Sequence, residues 1–346
     1  MGYKFTNDYS ELCDERILEA LSQNLGEQNF AYGLDKHSLN AARLIKSKFN
    51  APSAEVHFLA GGTQTNMTFI SYVLRPYEGV IACKFGHINI HETAAVEGSG
   101  HKIFTCEGKN GKLYPEDIEY ALKICNNEHV VKLKMVYISN STEIGTIYSK
   151  KELIDLREAC LKNNLYLFID GARLASALTC DKNDLSPEDI GPLCDAFYVG
   201  GTKNGLLFGE ALVIVNPQLQ KDFRYQIKNK GAMLAKGFVV GIQFERAFQD
   251  DLYFELAEYP NILATKLRNY FISRGYKIID CPTNQVFITL RKELAAAAIE
   301  QFGCELWEEL ENEITIRFVT SFTTDESNID EVINWFEERD YWWMLN

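Results

Sequence analysis

Short apolar runs alternate with helix-like segments over residues 50–215. Runs of about four to eight apolar residues indicate buried strands, and the segments between them carry apolar residues at helical spacing. Strands that alternate with helices in this way are typical of a largely parallel sheet with crossover helices, so we predict an α/β fold. The predicted strands lie in EVHFLA, VIAC, VVKLKMVYISN, LYLFID, DAFYVGG and ALVIV.

The pattern changes in the last third of the chain. A long helical region runs from Gly237 through 255–274, and after Gly275 shorter apolar runs alternate with helices. We therefore predict an N-terminal segment and a large domain over residues 1–250 and a smaller α+β domain over 251–346, with a long helix able to bridge the boundary. The smaller domain is predicted to contain strands in YKIID, QVFITL and ITIRFVT, and helices near 293–302 and 327–339.

Composition narrows the functional class. The 346 residues carry a formal net charge of −13 and give a pI near 5.1, so the field of the protein repels phosphate backbones and nucleic-acid binding is not expected. No apolar run is long enough to span a bilayer, and the first residues lack a secretory signal. The nine cysteines include no CxxC pair, which is typical of a reducing compartment. We expect a cytoplasmic protein that does not bind membranes.

Gly61, Gly62 and Thr63 follow the predicted strand EVHFLA and precede a helix. In a parallel sheet, ligands bind beyond the carboxyl ends of the strands. The free backbone N–H groups of a helix start bind anions there, and glycine lets a phosphate approach closely. The same residues also suit a plain tight turn, and neither a P-loop nor a dinucleotide fingerprint is present.

Two charged residues close consecutive strand units. Asp170 ends LYLFID, where a buried carboxylate is costly unless it is paired. It is either a helix cap or a partner of Arg173, or a carboxylate that holds a proton on the ring nitrogen of a ligand. Lys203, which follows Thr202 in the turn after DAFYVGG, is either a solvated loop lysine or a Schiff-base lysine whose pKa is lowered by burial.

His87 and His91 follow the strand VIAC with a spacing of four residues. This spacing occurs in zinc proteases, but those enzymes need glutamate directly after the first histidine, and Ile88 stands there. No other His or Cys spacing indicates a metal, so none is expected. His87 either stacks on an aromatic cofactor or is an ordinary core or surface histidine.

Pyridoxal phosphate needs all of these parts together. Its phosphate needs a helix start, its ring nitrogen a carboxylate, its ring a flat partner and its aldehyde a lysine. Gly62, His87, Asp170 and Lys203 occur along the chain as an ordered set that offers each of them. Because the joint match is more specific than any single feature, we predict pyridoxal 5'-phosphate as the cofactor.

Several segments carry motifs of a known enzyme family. They include KFTNDYSELCDERILEAL, AYGLDKHSLNAARLI, HFLAGGTQTNMTFI, ISNSTEIGTIYSKKEL, FIDGARLASAL, FYVGGTKNGLLFGEALV and ITIRFVTSF. Together they cover nearly the whole chain and resemble the threonine aldolases, which are grouped with the β-eliminating lyases; DGAR and GGTKNG are the most specific motifs. The resemblance implies the fold-type I, aspartate aminotransferase-like architecture, with a mostly parallel sheet in the large domain and a smaller α+β C-terminal domain.

The resemblance also assigns roles to individual residues. Lys203 corresponds to the lysine that binds the cofactor aldehyde, Asp170 to the partner of the ring nitrogen, and His87 to the stacked histidine. Arg317 corresponds to the arginine that binds the substrate carboxylate, a role that suits a guanidinium, although a surface strand arginine is the alternative. The remaining correspondences are Arg173 near the ring oxygen and the substrate, and Gly62, Thr63, Gln64 and Thr202 at the phosphate.

The chain departs from the family pattern at two places. Asn7 stands where many members have a serine that binds the substrate carboxylate, and asparagine can still donate there. Many members also have a histidine after an asparagine–threonine pair, whereas this chain has Ser141, Thr142 and Glu143 after Asn140. The base for the substrate β-hydroxyl is therefore His87, Glu143 or a water held between them.

A cationic segment follows the last strand of the large domain. Residues 221–236 contain five lysines and arginines against one acid, which ordinarily indicates a solvated helix face. The resemblance implies instead that Lys228 or Lys230 contacts the cofactor phosphate of a neighbouring subunit. Tyr32 is also placed near a subunit boundary. We therefore expect a homodimer or homotetramer with shared active sites.

The predicted reaction is cleavage of a β-hydroxy-α-amino acid, L-threonine or L-allo-threonine, into glycine and an aldehyde. Other enzymes of the fold use the same cofactor-binding residues, since the bond that breaks depends on how the substrate is placed. Two alternatives stay open: a β-eliminating lyase acting on another amino acid, and a pyridoxal-phosphate-binding protein of the same fold without aldolase turnover.

Overall fold

The computed structural model describes residues 2–344, with side chains described through residue 339. Its larger sheet has seven strands in the order β1-β7-β6-β5-β4-β2-β3. Six strands run in one direction, and β7 is antiparallel to both of its neighbours. The predicted largely parallel sheet is therefore confirmed. The strands are β1 Glu55–Leu59, β2 Glu78–Cys83, β3 Ile103–Cys106, β4 Lys132–Ser139, β5 Tyr166–Asp170, β6 Ala196–Gly200 and β7 Glu210–Ile214.

Helices cover both faces of this sheet. In β4, Val136 and Ile138 pack into one apolar layer, whereas Met135 and Tyr137 pack into the layer on the opposite face. Strands buried on both faces read as continuous apolar runs, which is why they were visible in the sequence. The helices are α1 Glu15–Gln23, α2 Lys36–Lys48, α3 Gly62–Val73, α4 His87–Ile90, α5 Ala95–Gly98, α6 Pro115–Ile124, α7 Lys150–Lys162, α8 Leu174–Thr179, α9 Pro187–Ile190, α10 Phe223–Asn229 and α11 Phe238–Phe248, with 3₁₀ turns at Gly191–Leu193 and Pro217–Leu219.

A second, antiparallel sheet of four strands lies in the C-terminal part, in the order β10-β11-β9-β8. Its edge strand β10 was not predicted, because the sequence ELWEE has no apolar alternation and most of its side chains are exposed. The elements are α12 Leu252–Ser273, β8 Lys277–Ile278, β9 Gln285–Arg291, α13 Lys292–Phe302, β10 Glu305–Glu309, β11 Glu313–Val319 and α14 Glu326–Met344.

Helix α12 is hydrogen-bonded to residues near both sheets. The side-chain amide of Asn261 donates to the carbonyl of Ser176 in α8 at 2.9 Å, and Thr320 after β11 donates to the carbonyl of Pro260 at 2.7 Å. The N-terminal segment also reaches the smaller unit, where Phe5 joins the apolar core. The backbone between residues 251 and 273 and the first residues of the chain thus connect the two parts of the fold. Of the predicted ranges 1–250 and 251–346, residues 1, 345 and 346 lie outside the described residues.

All nine cysteines are free thiols. In the described part of the chain, no helix combines the length and the apolar character needed to cross a bilayer.

Asp195 fixes the turn that leads into β6. Its buried carboxylate accepts from Arg157 at 2.6 Å, from the backbone N–H of Leu167 at 2.8 Å and from the side-chain amide of Asn216 at 2.8 Å. Asp195→Ala leaves these donors unpaired, so we expect the free energy of unfolding to fall by about 3 kcal/mol. Urea unfolding measures this loss. Asp155→Ala, which removes the exposed partner of Lys151, is the control and should cost under about 1 kcal/mol. Equal losses would contradict the assigned role of Asp195.

Candidate active site

The carboxyl ends of β1, β2, β5 and β6 bring the predicted site residues to one edge of the large sheet. The turns after β5 and β6 pack backbone against backbone. A Cβ on Gly171 would lie 1.9 Å from the carbonyl oxygen of Tyr198, and one on Gly200 would lie 2.4 Å from that of Ala172. Glycine is required at both positions because only it permits this approach. The close turns set Asp170 and Lys203 on neighbouring strand ends.

The carboxylate of Asp170 is buried and accepts four hydrogen bonds. Oδ1 accepts from the hydroxyl of Tyr198 at 2.5 Å and from the N–H of Ala172 at 3.0 Å. Oδ2 accepts from the hydroxyl of Tyr137 at 2.5 Å and from the amide of Asn66 at 3.0 Å. Burial alone would raise the pKa of Asp170, but the positive charge of His87 and these donors lower it. The group is therefore an anion at neutral pH.

Sequence reasoning missed both tyrosines. Tyr137 and Tyr198 lie two residues before the ends of β4 and β6, inside runs that were interpreted only as apolar strands. A buried tyrosine hydroxyl usually needs a hydrogen-bond partner, and the charged end of the intervening strand β5 supplies one. The sequence did contain one indication of these hydrogen bonds: each of the two strands that flank the strand ending in Asp170 contains a tyrosine.

His87 begins α4 and is held by a second buried acid. Its Nδ1 lies 2.8 Å from Oε1 of Glu92, which also accepts from the amide of Asn66 at 2.8 Å. Asn66 thus bridges Glu92 and Asp170. Burial acts to lower the pKa of His87, but the carboxylates of Glu92 and Asp170 raise it above its ordinary value. Neither Asn66 nor Glu92 was predicted, although an acid five residues after the histidine was visible.

Lys203 is half-buried in the turn after β6, and no described residue hydrogen-bonds its Nζ. The nearest aromatic ring is that of Tyr9, with its centroid 5.7 Å from Nζ. Burial and the neighbouring charge of Arg173 lower the pKa of Lys203, which favours the neutral amine that a nucleophile needs. Glu210, the first residue of β7, accepts from the N–H of Gly201 in this turn at 3.0 Å. The sequence analysis did not predict this contact.

Arg173 is bound by an acid from the N-terminal segment. Its Nε and Nη2 donate to the two carboxylate oxygens of Asp8 at 2.7 and 2.9 Å, and Asn284 donates to Asp8 at 3.0 Å. Burial would raise the pKa of Asp8, but the Arg173 guanidinium lowers it. Sequence reasoning considered Asp170 as the partner of Arg173 and missed Asp8, which is 165 residues away along the chain.

Arg317 lies buried in β11 of the smaller sheet. Its Nη1 donates to Oε1 of Gln285 at 2.9 Å, its Nη2 binds Glu305 in the neighbouring strand β10, and its guanidinium lies 5.2 Å from the ring centroid of Trp307. Its Nε is buried without a partner among the described residues. Arg173, Asp8 and Tyr9 all lie close enough to affect the pKa of Arg317. The arginine therefore faces the strand-end residues and is not a surface strand arginine.

Asn7 and Glu143 lie at the same edge. The side-chain oxygen of Asn7 accepts from the N–H of Tyr9 and the hydroxyl of Ser10, both at 2.9 Å, so only its NH₂ group is available to a ligand. Glu143 accepts from the N–H of His87 at 2.9 Å and from the hydroxyl of Ser139 at 2.8 Å. Burial and the charge of Asp170 raise the pKa of Glu143.

The predicted anion site lies at the start of α3, a helix of 12 residues. No described hydrogen bond uses the backbone N–H groups of Gly62, Thr63 or Gln64, which leaves three donors at the positive end of the helix. The side chain of Gln64 accepts from the N–H of Ala60 at 3.1 Å and closes the turn. The hydroxyl oxygen of Thr202 accepts from the N–H of Gly209 at 3.0 Å.

The cationic segment is the one predicted part that the chain does not bring to this edge. Lys228 lies over the ring of Tyr32, with Nζ 4.9 Å from the centroid, and Lys230 ends α10. No described contact joins Lys228, Lys230 or Tyr32 to Asp170 or Lys203. Among the described residues, no three His, Cys, Asp or Glu side chains lie together as a metal site.

Comparison with known proteins bears on the family and the fold of the chain. The profile of the beta-eliminating lyase family matches residues 12–296. A low specificity L-threonine aldolase of Pseudomonas aeruginosa is 30% identical over 336 residues, which cover 94% of each chain. A threonine aldolase structure from Leishmania major is 43% identical, covers 97% of this chain and 99% of its own, and superposes with a TM-score of 0.95. A PLP-bound putative aminotransferase from Clostridium difficile, 13% identical with a TM-score of 0.72 over 95% and 90% of the two chains, shares the fold.

Glu92 should control the protonation of His87. Glu92→Gln keeps the shape of the side chain but removes the negative charge that raises the pKa of His87, so we expect this pKa to fall and the imidazole to lose its proton at a lower pH. A pH titration of the histidine signals by NMR measures the change. Glu97→Gln, at an exposed acid nearby, is the control and should leave the His87 titration unaltered. A His87 pKa that is the same in both variants would be incompatible with this assignment.

Proposed function

The chain belongs to the beta-eliminating lyase family, and we propose that it cleaves β-hydroxy-α-amino acids, L-threonine and L-allo-threonine foremost, into glycine and an aldehyde. It has the fold-type I architecture of the pyridoxal-phosphate enzymes, as predicted. The names of its relatives support an aldolase, since those at 30% identity are L-threonine aldolases. The observation that carries the proposal is the buried Asp170 anion beside an amine, Lys203, that no described residue binds.

The residues present fit pyridoxal 5'-phosphate as the cofactor. Three free N–H groups at the start of α3 suit its phosphate, and the buried oxygen of Asn66 and Oε2 of Glu92, which lack described partners, leave polar atoms beside Asp170. Bound pyridoxal phosphate supplies an aldehyde that bonds to an amine and a ring that accepts the electron pair released at Cα. Lys203 would hold it covalently, and His87 would lie against its ring.

Asp170 would keep the ring nitrogen protonated. Burial acts to raise the pKa of Asp170, but the charge of His87 and three side-chain hydrogen-bond donors lower it, so the carboxylate stays charged in a site from which water is largely excluded. A ring N–H that binds Asp170 must share or displace one of the donors already present. The hydroxyls of Tyr137 and Tyr198 can rotate to other partners, whereas the N–H of Ala172 is fixed by the backbone.

Arg317 and Asn7 would bind the carboxylate of the substrate. The free Nε of Arg317 and the adjacent Nη2 form one edge of the guanidinium, which matches a carboxylate with two parallel hydrogen bonds. The substrate carboxylate would have to share Nη2 with Glu305. Holding the carboxylate fixes the rotation about the Cα–N bond and so selects the bond that breaks. Arg173, held by Asp8, would bind near the ring oxygen.

The site would be completed by a second copy of the chain. Lys228 and Lys230 have no described contact with the strand-end residues of their own chain, and the phosphate of the cofactor needs cations beyond the N–H groups of α3. We therefore place one of these lysines at the phosphate of a neighbouring subunit, with Tyr32 close to the boundary. The assembly is a homodimer or homotetramer.

The proposal is tested with purified protein, pyridoxal phosphate and L-threonine. We expect a visible absorption band from the bound cofactor and release of acetaldehyde and glycine. Lys203→Ala should remove the band and lower the rate of cleavage by about 10³-fold or more, since the nucleophile is lost. Lys162→Ala, at an exposed lysine of α7, is the matched control and should leave both unchanged. Release of pyruvate and ammonia in place of glycine would show that the chain is a β-eliminating lyase. Absence of the absorption band from the wild-type protein would show that pyridoxal phosphate is not its cofactor.

Shared sites predict complementation between two inactive variants. Each proposed site takes Lys203 from one subunit and Lys230 from the other. In a hybrid of the Lys203→Ala and Lys230→Ala chains, one site therefore lacks both lysines and the other site has both. Co-expression in equal amounts should restore about one quarter of the wild-type activity, because half of random dimers are hybrids with one of two sites intact. The same experiment with Lys228→Ala identifies which lysine contributes. Activity no higher than the sum of the single variants in both pairings would rule out the shared site.

A further inference from the structure

His91 has no role in the site as described so far. It caps the C-terminal end of the short helix α4, and its backbone N–H donates to the carbonyl of His87 at 2.9 Å. The two imidazole rings lie with their centroids 5.4 Å apart and their planes at 49°. The His91 side chain is exposed, so its ring is open to a ligand bound beside His87.

The charged groups that act on His91 include those that would bind the substrate. The charges of His87, Arg317, Lys203 and Glu305 all act on its imidazole, which therefore lies within electrostatic range of both the amine and the carboxylate-binding arginine. A substrate held by Arg317 and bound to the cofactor in place of Lys203 would lie between these two groups. Partial burial and the nearby cations lower the pKa of His91, which leaves it neutral near pH 7.

The other candidate bases are less suited to accept a proton. Glu92 occupies Nδ1 of His87 and helps to raise the pKa of that imidazole. Oε1 of Glu143 accepts two hydrogen bonds and fixes the N–H of His87. Residues 140–143 contain no histidine, so Glu143 is the one titratable side chain that they offer. His91 is the neutral imidazole that remains.

We propose that His91 is the catalytic base that takes the proton of the substrate β-hydroxyl. This inference rests on the proposed aldolase function. A ring nitrogen of His91 accepts the hydroxyl proton, the C–O bond becomes a carbonyl, and the Cα–Cβ electron pair remains with Cα as the aldehyde leaves. Lys203 or a water then returns a proton to Cα and gives glycine, and His91 releases its proton to solvent. No oxidant or further reactant is needed.

His91→Asn separates this role from a structural one. We expect cleavage of L-threonine to fall by about 100-fold or more, the contribution of a general base. Exchange of the α-protons of glycine for deuterium, followed by NMR, needs Lys203 and Arg317 but no hydroxyl deprotonation, and should stay within about twofold of the wild type. The pH profile of kcat/KM should also lose its acidic limb, which in the wild type lies below the ordinary histidine pKa of 6.5.

Two control variants and a rescue experiment test whether the effect is specific to His91. His129→Asn, at an exposed histidine, should change neither reaction. Glu143→Gln tests the rival base. Its losses of cleavage and of glycine exchange should be equal, because Glu143 holds the N–H of His87 but takes no hydroxyl proton. His91→Ala should regain activity when imidazole is added, since the small base can enter the exposed position.

Two results for His91→Asn would overturn the proposal: cleavage at the wild-type rate, or equal losses of cleavage and glycine exchange. Loss of cleavage in Glu143→Gln with full activity in His91→Asn would assign the base to Glu143. A wild-type enzyme that exchanges glycine protons but cleaves no hydroxy amino acid would refute the aldolase function itself, and with it the base.

Discussion

The buried carboxylate of Asp170 is the constraint on which the site depends. An anion at the end of a central strand is stable only if hydrogen bonds replace its water, and the four donors come from four places: β4, β6, α3 and the turn after β5. Each neighbouring element is thereby fixed relative to β5. Neutral donors satisfy the charge without cancelling it, so it remains available to a cationic ring.

The same distribution of charge leaves Lys203 without a bound acid. Asp8 pairs with Arg173, and Glu305 pairs with Arg317, so the two arginines at the edge have carboxylate partners within the chain. Lys203 has none among the described residues, and burial together with Arg173 lowers its pKa. A lysine in such a position is reactive because burial and the nearby arginine destabilise its charged form more than the surrounding carboxylates stabilise it. Because Asp8 and Glu305 bind the two arginines, neither carboxylate binds the amine of Lys203.

Much of this was visible in the sequence, for physical reasons. Strands buried on both faces form continuous apolar runs, and a charged residue that ends such a run, such as Asp170 or Lys203, stands out. Features that depend on contacts between distant parts of the chain were not visible in the sequence. The pair of Asp8 and Arg173 spans 165 residues, and Tyr137 was hidden among the apolar residues that its ring resembles. Edge strand β10 lacks any alternation, because neither of its faces is well buried.

In the proposed function, Asp170 holds a proton on the ring nitrogen of the cofactor. The direct test is the ¹⁵N NMR chemical shift of the ring nitrogen in the protein reconstituted with ¹⁵N-labelled pyridoxal phosphate. A protonated nitrogen across the neutral pH range in the wild type, and an unprotonated one in Asp170→Asn, is the predicted result. An unprotonated ring nitrogen in the wild type, or the same shift in both proteins, would show that Asp170 does not hold this proton.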